Sequence, residues 1–309
     1  MITIPAMAPA LASAMAPVSA VKPTTKFKTA TCIPFKPKNK LSASIHTCYT
    51  DDKLNQLKTR WNRRHPKDKI KSKSPRDIWK FIKRKMGGVC KSELCWIKKL
   101  VQDVGLRNEF INTTFAPVAP EEWKKNPVEW LSDADINQVM KQYEAEYKHF
   151  VFIGPSPIDF DTVIGNVCVW NDLCKFSIKS QLKKEKTMIG MIFNLDTHDK
   201  GGSHWISLFI NLKKNFIFFF DSNGVVPPHQ VVTLIERIKA EANDVGKKMK
   251  IYINKKQHQR QNTECGIYSI FMISELLREK KTPHDFMSKS HFKDEYMIRL
   301  RKRFFNIPE

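Results

Sequence analysis

The sequence predicts an α+β fold between about residue 121 and residue 309. Short apolar runs separated by polar turns are typical of strands, and the stretch 267–273, which is apolar on nearly every side, is typical of a buried helix. The predicted strands and helices follow one another irregularly, as in an α+β core. The strands are predicted at 150–153, 188–194, 204–210, 216–221 and 249–254, and helices begin near residues 132, 228, 265, 283 and 291.

The first helix of this core has a well-marked start at Ser132. The Ser132 hydroxyl can cap the helix, and Asp135 is correctly spaced to complete a capping-box pair. Leu131, just before the cap, can pack on Ile136 as a hydrophobic staple. These features predict a helix N-terminus at this position.

A predicted hairpin brings a histidine and an aspartate together. Its turn is centred near Lys213, so paired residues have numbers that sum to about 426, and His204 falls nearly opposite Asp221. Opposed residues on antiparallel strands share a face, with Cβ atoms about 4.5 to 5.5 Å apart. A carboxylate at that distance can hold the imidazole in one tautomer. A turn longer or shorter by one residue would instead place them on opposite faces.

A single cysteine is predicted at the start of the buried helix. The polar loop 258–264 leads directly to Cys265, and the apolar helix follows. The unpaired N–H groups and the dipole at a helix N-terminus favour a thiolate, which is the nucleophilic form of cysteine. Taken alone, Cys265 could equally be a buried structural thiol. With His204 as base and Asp221 as orienting residue, the set matches the logic of a catalytic triad.

Gln259 adds an electrostatic element to this set. It lies six residues before Cys265 in the same loop, and its side-chain amide can join the Cys265 backbone N–H in stabilising an oxyanion. Taken alone, a glutamine in a loop is usually solvated. Its position beside the nucleophile is what makes it a candidate.

The four candidates, in the order His, Asp, Gln, Cys, resemble the catalytic set of the Ulp-type cysteine peptidases, the SUMO-protease superfamily. The resemblance covers about residues 121–309, and several details are similar to the polyprotein-processing protease of African swine fever virus and its relatives in other large DNA viruses. The matching segments are Trp130–Ile136, 150–160, 202–205, Asp221–Ser222, 227–228 and 258–266. One position departs, because that viral protease has Asn where this chain has Asp221. Asn223 therefore remains an alternative orienting residue.

This resemblance implies a papain-like peptidase core and a cysteine endopeptidase that cleaves after Gly-Gly, in viral structural polyproteins during virion maturation. A Gly-Gly pair suits a narrow tunnel that excludes any Cβ. An isopeptidase that acts on SUMO or ubiquitin-like conjugates would share all four residues and remains an alternative. A nucleic-acid-binding protein with an inactive peptidase fold is a third, which the complete set of His204, Asp221, Gln259 and Cys265 argues against.

The N-terminal part of the chain differs in composition. Residues 1–50 contain no Asp or Glu and are rich in Ala, Pro, Thr and Lys, which predicts a disordered tail. Residues 51–120 are strongly basic and predict a helical arm, with Ser74 as a helix cap and Gly87-Gly88 as a helix end. The net charge of +22 predicts acidic partners, so the arm is a candidate for non-specific nucleic-acid binding. Solvated lysines that serve solubility are the alternative.

The cysteine content and the lengths of the apolar runs indicate in which compartment the protein resides. Seven cysteines without the density of a secreted scaffold indicate a reducing compartment, and no apolar run is long enough to span a membrane. For a viral enzyme we expect the host cytoplasm, at the viral factory, and the virion, rather than secretion. Cys90 and Cys95 lack a matching pair of ligands, so we expect no metal site and no cofactor. The Gly87-Gly88 pair also raises self-processing, although helix capping alone explains it.

Overall fold

A computed structural model describes residues 30–33, 47–288 and 291–307 of the 309-residue chain. The basic N-terminal region is helical, as predicted. Its four helices are α1 (Asp51–Arg64), α2 (Pro75–Met86), α3 (Glu93–Leu100) and α4 (Val104–Asn112). Within the described residues, no helix is both long and apolar enough to cross a bilayer.

The arm has a hydrophobic cluster of its own. Ser74 is the N-cap of α2, Pro75 is its first residue and Gly87 its C-cap, as the sequence predicted. Trp96 is fully buried, and the Trp79 ring lies 5.9 Å from it. These aromatic side chains therefore form part of a small core and do not present an open stacking surface.

Within the predicted tail, 1–50, the structure describes residues 30–33 and 47–50, which contact other parts of the chain, and the boundary at residue 50 stays a prediction. Cys48 and Tyr49 are fully buried in the arm cluster, because their apolar side chains fill space between the helices. Residues 30–33 also have defined partners. Cys32 forms an isolated antiparallel β-bridge with Phe115, and the Thr31 backbone N–H donates to Asn306 Oδ1 over 2.6 Å. The other residues of the predicted tail, 1–29 and 34–46, lie outside the described residues.

The remainder of the chain forms a five-stranded mixed sheet with helices on both sides, which agrees with the predicted α+β class. The elements are α5 (Asp133–Glu146), β1 (Phe150–Pro157), β2 (Val163–Ile164), β3 (Val167–Cys168), α6 (Asn171–Cys174), α7 (Ile178–Lys183), β4 (Met188–Asn194), β5 (Trp205–Asn211), β6 (Phe216–Phe220), α8 (His229–Asp244), β7 (Lys250–Ile253), α9 (Cys265–Leu277), α10 (Pro283–Met287) and α11 (Asp294–Phe304). The strand order in the five-stranded sheet is β1-β4-β5-β6-β7. In this sheet β1 pairs with β4 and β6 with β7 in parallel, and the other pairs are antiparallel.

The two faces of the sheet build two separate hydrophobic clusters. Alternate residues of a strand point to opposite faces, so Phe209 and Phe218 face α5, α9 and α11, whereas Leu208 and Phe219 face α7 and α8. The arm cluster extends to Phe115, and the cluster that contains α9 begins at Ala119, close to the predicted boundary near residue 120. That boundary stays a prediction.

The β5–β6 hairpin has a register close to the predicted one. Ser207 pairs with Phe220, so paired numbers sum to 427 rather than about 426. Extending this register by one pair places Asp221 opposite Ile206, and His204 lies two residues before Ile206 in the chain. Because the offset is an even number, His204 and Asp221 keep the same face, as diagonal neighbours just beyond the ladder.

Six of the seven cysteines form disulfides. The pairs are Cys32–Cys48, Cys90–Cys95 and Cys168–Cys174, and Cys265 is free. Cys90 and Cys95 are therefore bonded to each other. The pairings do not support the predicted reducing compartment, since disulfides are rare there. The location of the protein stays a prediction.

Gly190 in β4 sets how closely α9 approaches the sheet. A Cβ at this position would lie 3.0 Å from Ile273 Cγ2 and 3.1 Å from the Phe150 ring. We therefore expect Gly190→Ala to lower the free energy of unfolding by about 1–3 kcal/mol, because overpacking forces α9 away from the sheet. Denaturant unfolding measures this. Gly88→Ala is the control, since a Cβ there meets nothing within 4 Å; equal stability of both variants would contradict the prediction.

Candidate active site

Three elements of the peptidase core bring His204, Asp221 and Cys265 together. His204 immediately precedes β5, Asp221 immediately follows β6, and Cys265 is the first residue of α9. The His204 imidazole is hydrogen-bonded to Asp221 Oδ1, and Cys265 lies near enough to raise the pKa of the same imidazole. The arrangement is that of a nucleophile, a base and a group that orients the base.

The bond between His204 and Asp221 is short and shielded from water. His204 Nε2 lies 2.7 Å from Asp221 Oδ1, and the Asp221 side chain is 3% exposed. The Asn223 backbone N–H donates to the same oxygen, and Asn254 Nδ2 donates to the Asp221 backbone carbonyl. Asp221 is therefore the residue that contacts the imidazole. Asn223 is exposed. With Nε2 engaged, Nδ1 is the ring nitrogen left for Cys265.

The surroundings of His204 favour its charged form. Burial by itself lowers the pKa of His204, but the hydrogen bonds and charges of Asp221 and Cys265 outweigh it and raise the pKa to about 9. His204 is therefore protonated at neutral pH. A cation beside a cysteine sulfur favours the thiolate, which is the reactive form.

Cys265 is held in place by the most buried helix of the fold. Every residue of α9 except Glu275 is buried, and Cys265 itself is 3% exposed. Behind it, a Cβ on Gly266 would lie 3.1 Å from the Leu131 side chain, so the first turn of α9 packs closely on the segment before α5. As the first helical residue, Cys265 has a backbone N–H without a partner inside the helix, which can donate to an oxyanion.

Gln259 lies next to Ser222, the residue after Asp221, and two hydrogen bonds fix its side chain. Its Oε1 accepts from the Ser222 hydroxyl over 2.8 Å, and its Nε2 donates to the Gln261 carbonyl over 2.6 Å. Its backbone N–H donates to the Ser222 carbonyl. An amide nitrogen carries two hydrogens, and the bond to Gln261 uses one of them. The other is the donor that an oxyanion would require.

The loop that carries Gln259 is itself tied to the C-terminal helix. Asp294, in the first turn of α11, accepts from the backbone N–H groups of Arg260 and Gln261, each over 3.0 Å. His258 is fully buried, and burial lowers its pKa to about 4, so it is neutral. Its Nε2–H donates to the Phe286 carbonyl, and its Nδ1 accepts from the Phe292 N–H. These contacts keep the loop rigid between α10 and α11.

A cleft of about 580 Å³ lies beside the segment that carries His204, and Trp130, Trp170 and Trp205 contribute to its lining. Trp205 follows His204 and is 7% exposed, and its indole N–H donates to the Leu131 carbonyl over 3.0 Å. The Trp130 indole N–H donates to the Asn262 carbonyl over 2.6 Å. Both indoles are therefore anchored to backbone. Gly201 and Gly202 line the same cleft.

The site can activate a thiol for attack on a carbonyl carbon. It offers a free sulfur and a proton carrier in buried surroundings, and the Cys265 N–H and Gln259 Nε2 are candidate oxyanion donors. Among the described residues, no group of three or more His, Cys, Asp or Glu side chains is arranged to hold a metal ion.

Two charged residues of the site carry no recognisable sequence signal. Asp294 and Arg301 contact the catalytic loops, but they lie far from them in sequence and look like ordinary charged residues. Ser222 lies in a segment that the resemblance marks, although its hydrogen bond to Gln259 is visible only in three dimensions. Trp130 and Trp205 belong to segments that sequence resemblance marks, although their anchoring bonds are visible only in three dimensions. The sequence spacing between Gln259 and Cys265 locates the loop that carries them, but not the helix α11 that supports this loop.

Comparison with known proteins places this site in a family. Residues 136–308 match the C-terminal catalytic domain of the Ulp1 protease family. A putative thiol protease of Acanthamoeba polyphaga mimivirus is 30% identical over 259 residues, which are 75% of this chain and 80% of that protein. A SUMO-1 cysteine protease of African swine fever virus is 27% identical over 254 residues, which are 77% of this chain and 91% of that protein.

The fold agrees with this relationship. The crystal structure of a protease of African swine fever virus superposes with a TM-score of 0.61 at 24% identity, and the match covers 78% of this chain and 93% of that one. The fold, the clustered His204 and Cys265, and the match over most of the catalytic domain agree. This chain belongs to the Ulp1 family of cysteine proteases.

Proposed function

We propose that this protein is an endopeptidase that cleaves after Gly-Gly and processes structural polyproteins of a large DNA virus during virion maturation. The observation that carries the proposal is the cleft beside His204, which is walled by two indoles that hydrogen bonds hold in place. Indoles that are held in this way do not move aside, so we infer that a peptide segment without side chains passes them most easily. Glycine, which has no Cβ, fits such a passage.

In the proposed mechanism, the Cys265 thiolate attacks the carbonyl carbon of the second glycine. The carbon–sulfur bond forms as the carbonyl π electrons move to oxygen, and the Cys265 N–H and Gln259 Nε2 donate to that oxyanion. His204 then gives its proton to the leaving amine, and Asp221 keeps the ring oriented. Water, deprotonated by His204, hydrolyses the acyl-enzyme and regenerates the thiolate.

The viral setting of the proposal draws on the relatives. Both are proteins of large DNA viruses, and one of them bears the name SUMO-1 cysteine protease. We place the enzyme at the viral factory in the host cytoplasm and in the virion. An isopeptidase that removes SUMO or ubiquitin-like proteins is the second candidate, and the name of that relative favours it. Incubation with SUMO conjugates distinguishes the two, because the isopeptidase releases free SUMO.

The specificity prediction uses two peptides that differ only at the cleavage site. We expect hydrolysis of a peptide with Gly-Gly, and at least about a hundredfold lower kcat/KM when either glycine is replaced by Ala, because the added Cβ meets an indole. Liquid chromatography with mass spectrometry locates the cut. Cys265→Ala is the control without a nucleophile and should show no cleavage. Equal hydrolysis of Gly-Gly and Ala-Ala peptides contradicts the proposal.

The pH dependence follows from the raised pKa of His204. As pH rises through about 9, His204 loses the proton that the leaving amine needs, so kcat/KM should fall. Asp221→Asn removes a charge that raises this pKa, so the alkaline decline should begin at lower pH. Its activity should be reduced but not lost, because an amide oxygen still accepts from the imidazole. His204→Ala, by contrast, should abolish cleavage.

A matched substitution completes the pH experiment. Glu279 is an exposed carboxylate in an ion pair with Lys214. Glu279→Gln removes the same charge at a remote position and should leave the alkaline decline in place. An unchanged pH profile of Asp221→Asn would show that Asp221 does not set the proton affinity of His204.

We also propose that the arm binds nucleic acid through its phosphates, which would concentrate the enzyme on nucleic-acid-containing particles. The aromatic side chains of the arm are packed against its own cations, with Lys83 Nζ 4.7 Å from the Trp79 ring, so base stacking is not the expected mode. The support is electrostatic: basic residues far outnumber acidic ones between residues 51 and 112, and Lys69, Lys71 and Lys73 are exposed.

Charge removal in the full-length protein tests this arm. Substituting Lys69, Lys71 and Lys73 by Gln should reduce the log-log salt slope of DNA binding by about 2 to 3, while hydrolysis of a short peptide is unchanged. Fluorescence anisotropy at several salt concentrations measures the slope. The control carries the same change on the exposed peptidase residues Lys179, Lys183 and Lys184. Equal loss of affinity in both variants would mean that the overall charge, not the arm, drives binding.

A further inference from the structure

Arg301 is a buried charge that the proposed chemistry does not use. It lies on α11, and its side chain is 2% exposed. Its Nε donates to both carboxylate oxygens of Glu264, over 3.0 and 2.8 Å, and the Glu264 side chain is fully buried. Replacing such a buried pair by apolar residues of similar volume often leaves stability unchanged or raises it, so stability alone does not account for it.

The outer nitrogens of the same guanidinium reach the backbone of two loops. Nη1 donates to the Glu129 carbonyl over 2.6 Å, and Nη2 donates to the carbonyls of Val128 and Thr263, over 3.2 and 3.1 Å. The Trp123 ring covers the guanidinium at 4.5 Å from its centroid. The planar fork of an arginine makes several such bonds at fixed angles, which the single ammonium of a lysine does not.

Of the two segments that Arg301 joins, one leads to the lining of the cleft and the other leads to the nucleophile. Val128 and Glu129 lead directly into Trp130, which walls the cleft. Thr263 and Glu264 lead directly into Cys265. The Trp130 indole N–H completes the connection by donating to the Asn262 carbonyl on the nucleophile side.

We propose that Arg301 is a positioning residue for peptide hydrolysis, which holds the Trp130 wall at a fixed distance from the loop of Cys265. It touches no reacting atom. It acts by fixing two backbone segments, so that a peptide lying along Trp130 presents its carbonyl carbon to the sulfur. Glu264 keeps the guanidinium in place and neutralises it. The inference rests on the proposed peptidase role of Cys265 and His204.

This role separates two properties that a general loss of structure would change together. The reactivity of Cys265 toward a small alkylating agent depends on His204 and Asp221, which Arg301 does not contact. Hydrolysis of a peptide depends in addition on the cleft wall. A variant of Arg301 should therefore lose hydrolysis and keep alkylation.

The experiment is a double-mutant cycle between Arg301 and Trp130 in the full-length protein. Arg301→Lys should lower kcat/KM for the Gly-Gly peptide at least about tenfold, while the rate and pH profile of Cys265 alkylation by iodoacetamide change less than about twofold. In a Trp130→Ala background, where the wall is already gone, the same change should cost less than about threefold. Arg237→Lys is the control. Arg237 lies on α8 and also donates to two backbone carbonyls, those of Leu173 and Cys174.

The outcomes are distinguishable. Full additivity with Trp130→Ala, or an equal loss of hydrolysis and alkylation, overturns the positioning role. If Arg301→Lys does not fold, as judged by its thermal unfolding, Glu264→Gln takes its place in the cycle, because it loosens the same guanidinium while retaining an acceptor. If the parent protein alkylates normally but cleaves no peptide, the proposed function fails instead.

Discussion

The burial of α9 against the sheet is the constraint on which the site depends. Because nearly every side chain of this helix is buried, its first residue, Cys265, cannot move relative to β5. The helix packs over Gly190 in β4, where the absence of a Cβ permits close approach. The hairpin that carries His204 and Asp221 belongs to the same sheet. The arrangement of the three side chains therefore follows from packing.

Charged side chains on α11 fix the conformation of the loops around the site, which apolar packing alone does not. Loops have exposed backbone and few apolar contacts, so hydrophobic burial alone does not fix their conformation. Asp294 binds two backbone N–H groups of the Gln259 loop, and Arg301 binds three backbone carbonyls around Trp130 and Cys265. Buried charges are costly unless fully paired, but hydrogen bonds to them are strong and directional. Here the charges hold backbone geometry around the site.

The basic arm has its own core, but it is not an isolated appendage. The Asn306 side chain, beyond α11, donates to the carbonyls of Thr31 and Ala116, and the Thr31 N–H donates back to it. The disulfide between Cys32 and Cys48 ties this N-terminal segment to the arm helices. The arm is thereby joined to the helix that supports the catalytic loops. Effects of the arm on catalysis can therefore pass through α11 as well as through bound nucleic acid.

Local patterns in the sequence determined most of the elements: the Ser132 capping box, the Gly87 helix end, strand β4 and the helix that begins at Cys265 all lie where propensity and periodicity predict them. The hairpin spacing placed His204 close to Asp221, but only the observed register, in which paired numbers sum to 427, decides that the two side chains share a face. Only the tertiary structure decided the partners that lie far apart in the chain, including Arg301 with Thr263, the burial of Tyr49 and the cysteine pairings. Such contacts depend on how whole elements pack, and no local pattern of charge or polarity encodes which distant backbone group a side chain will meet.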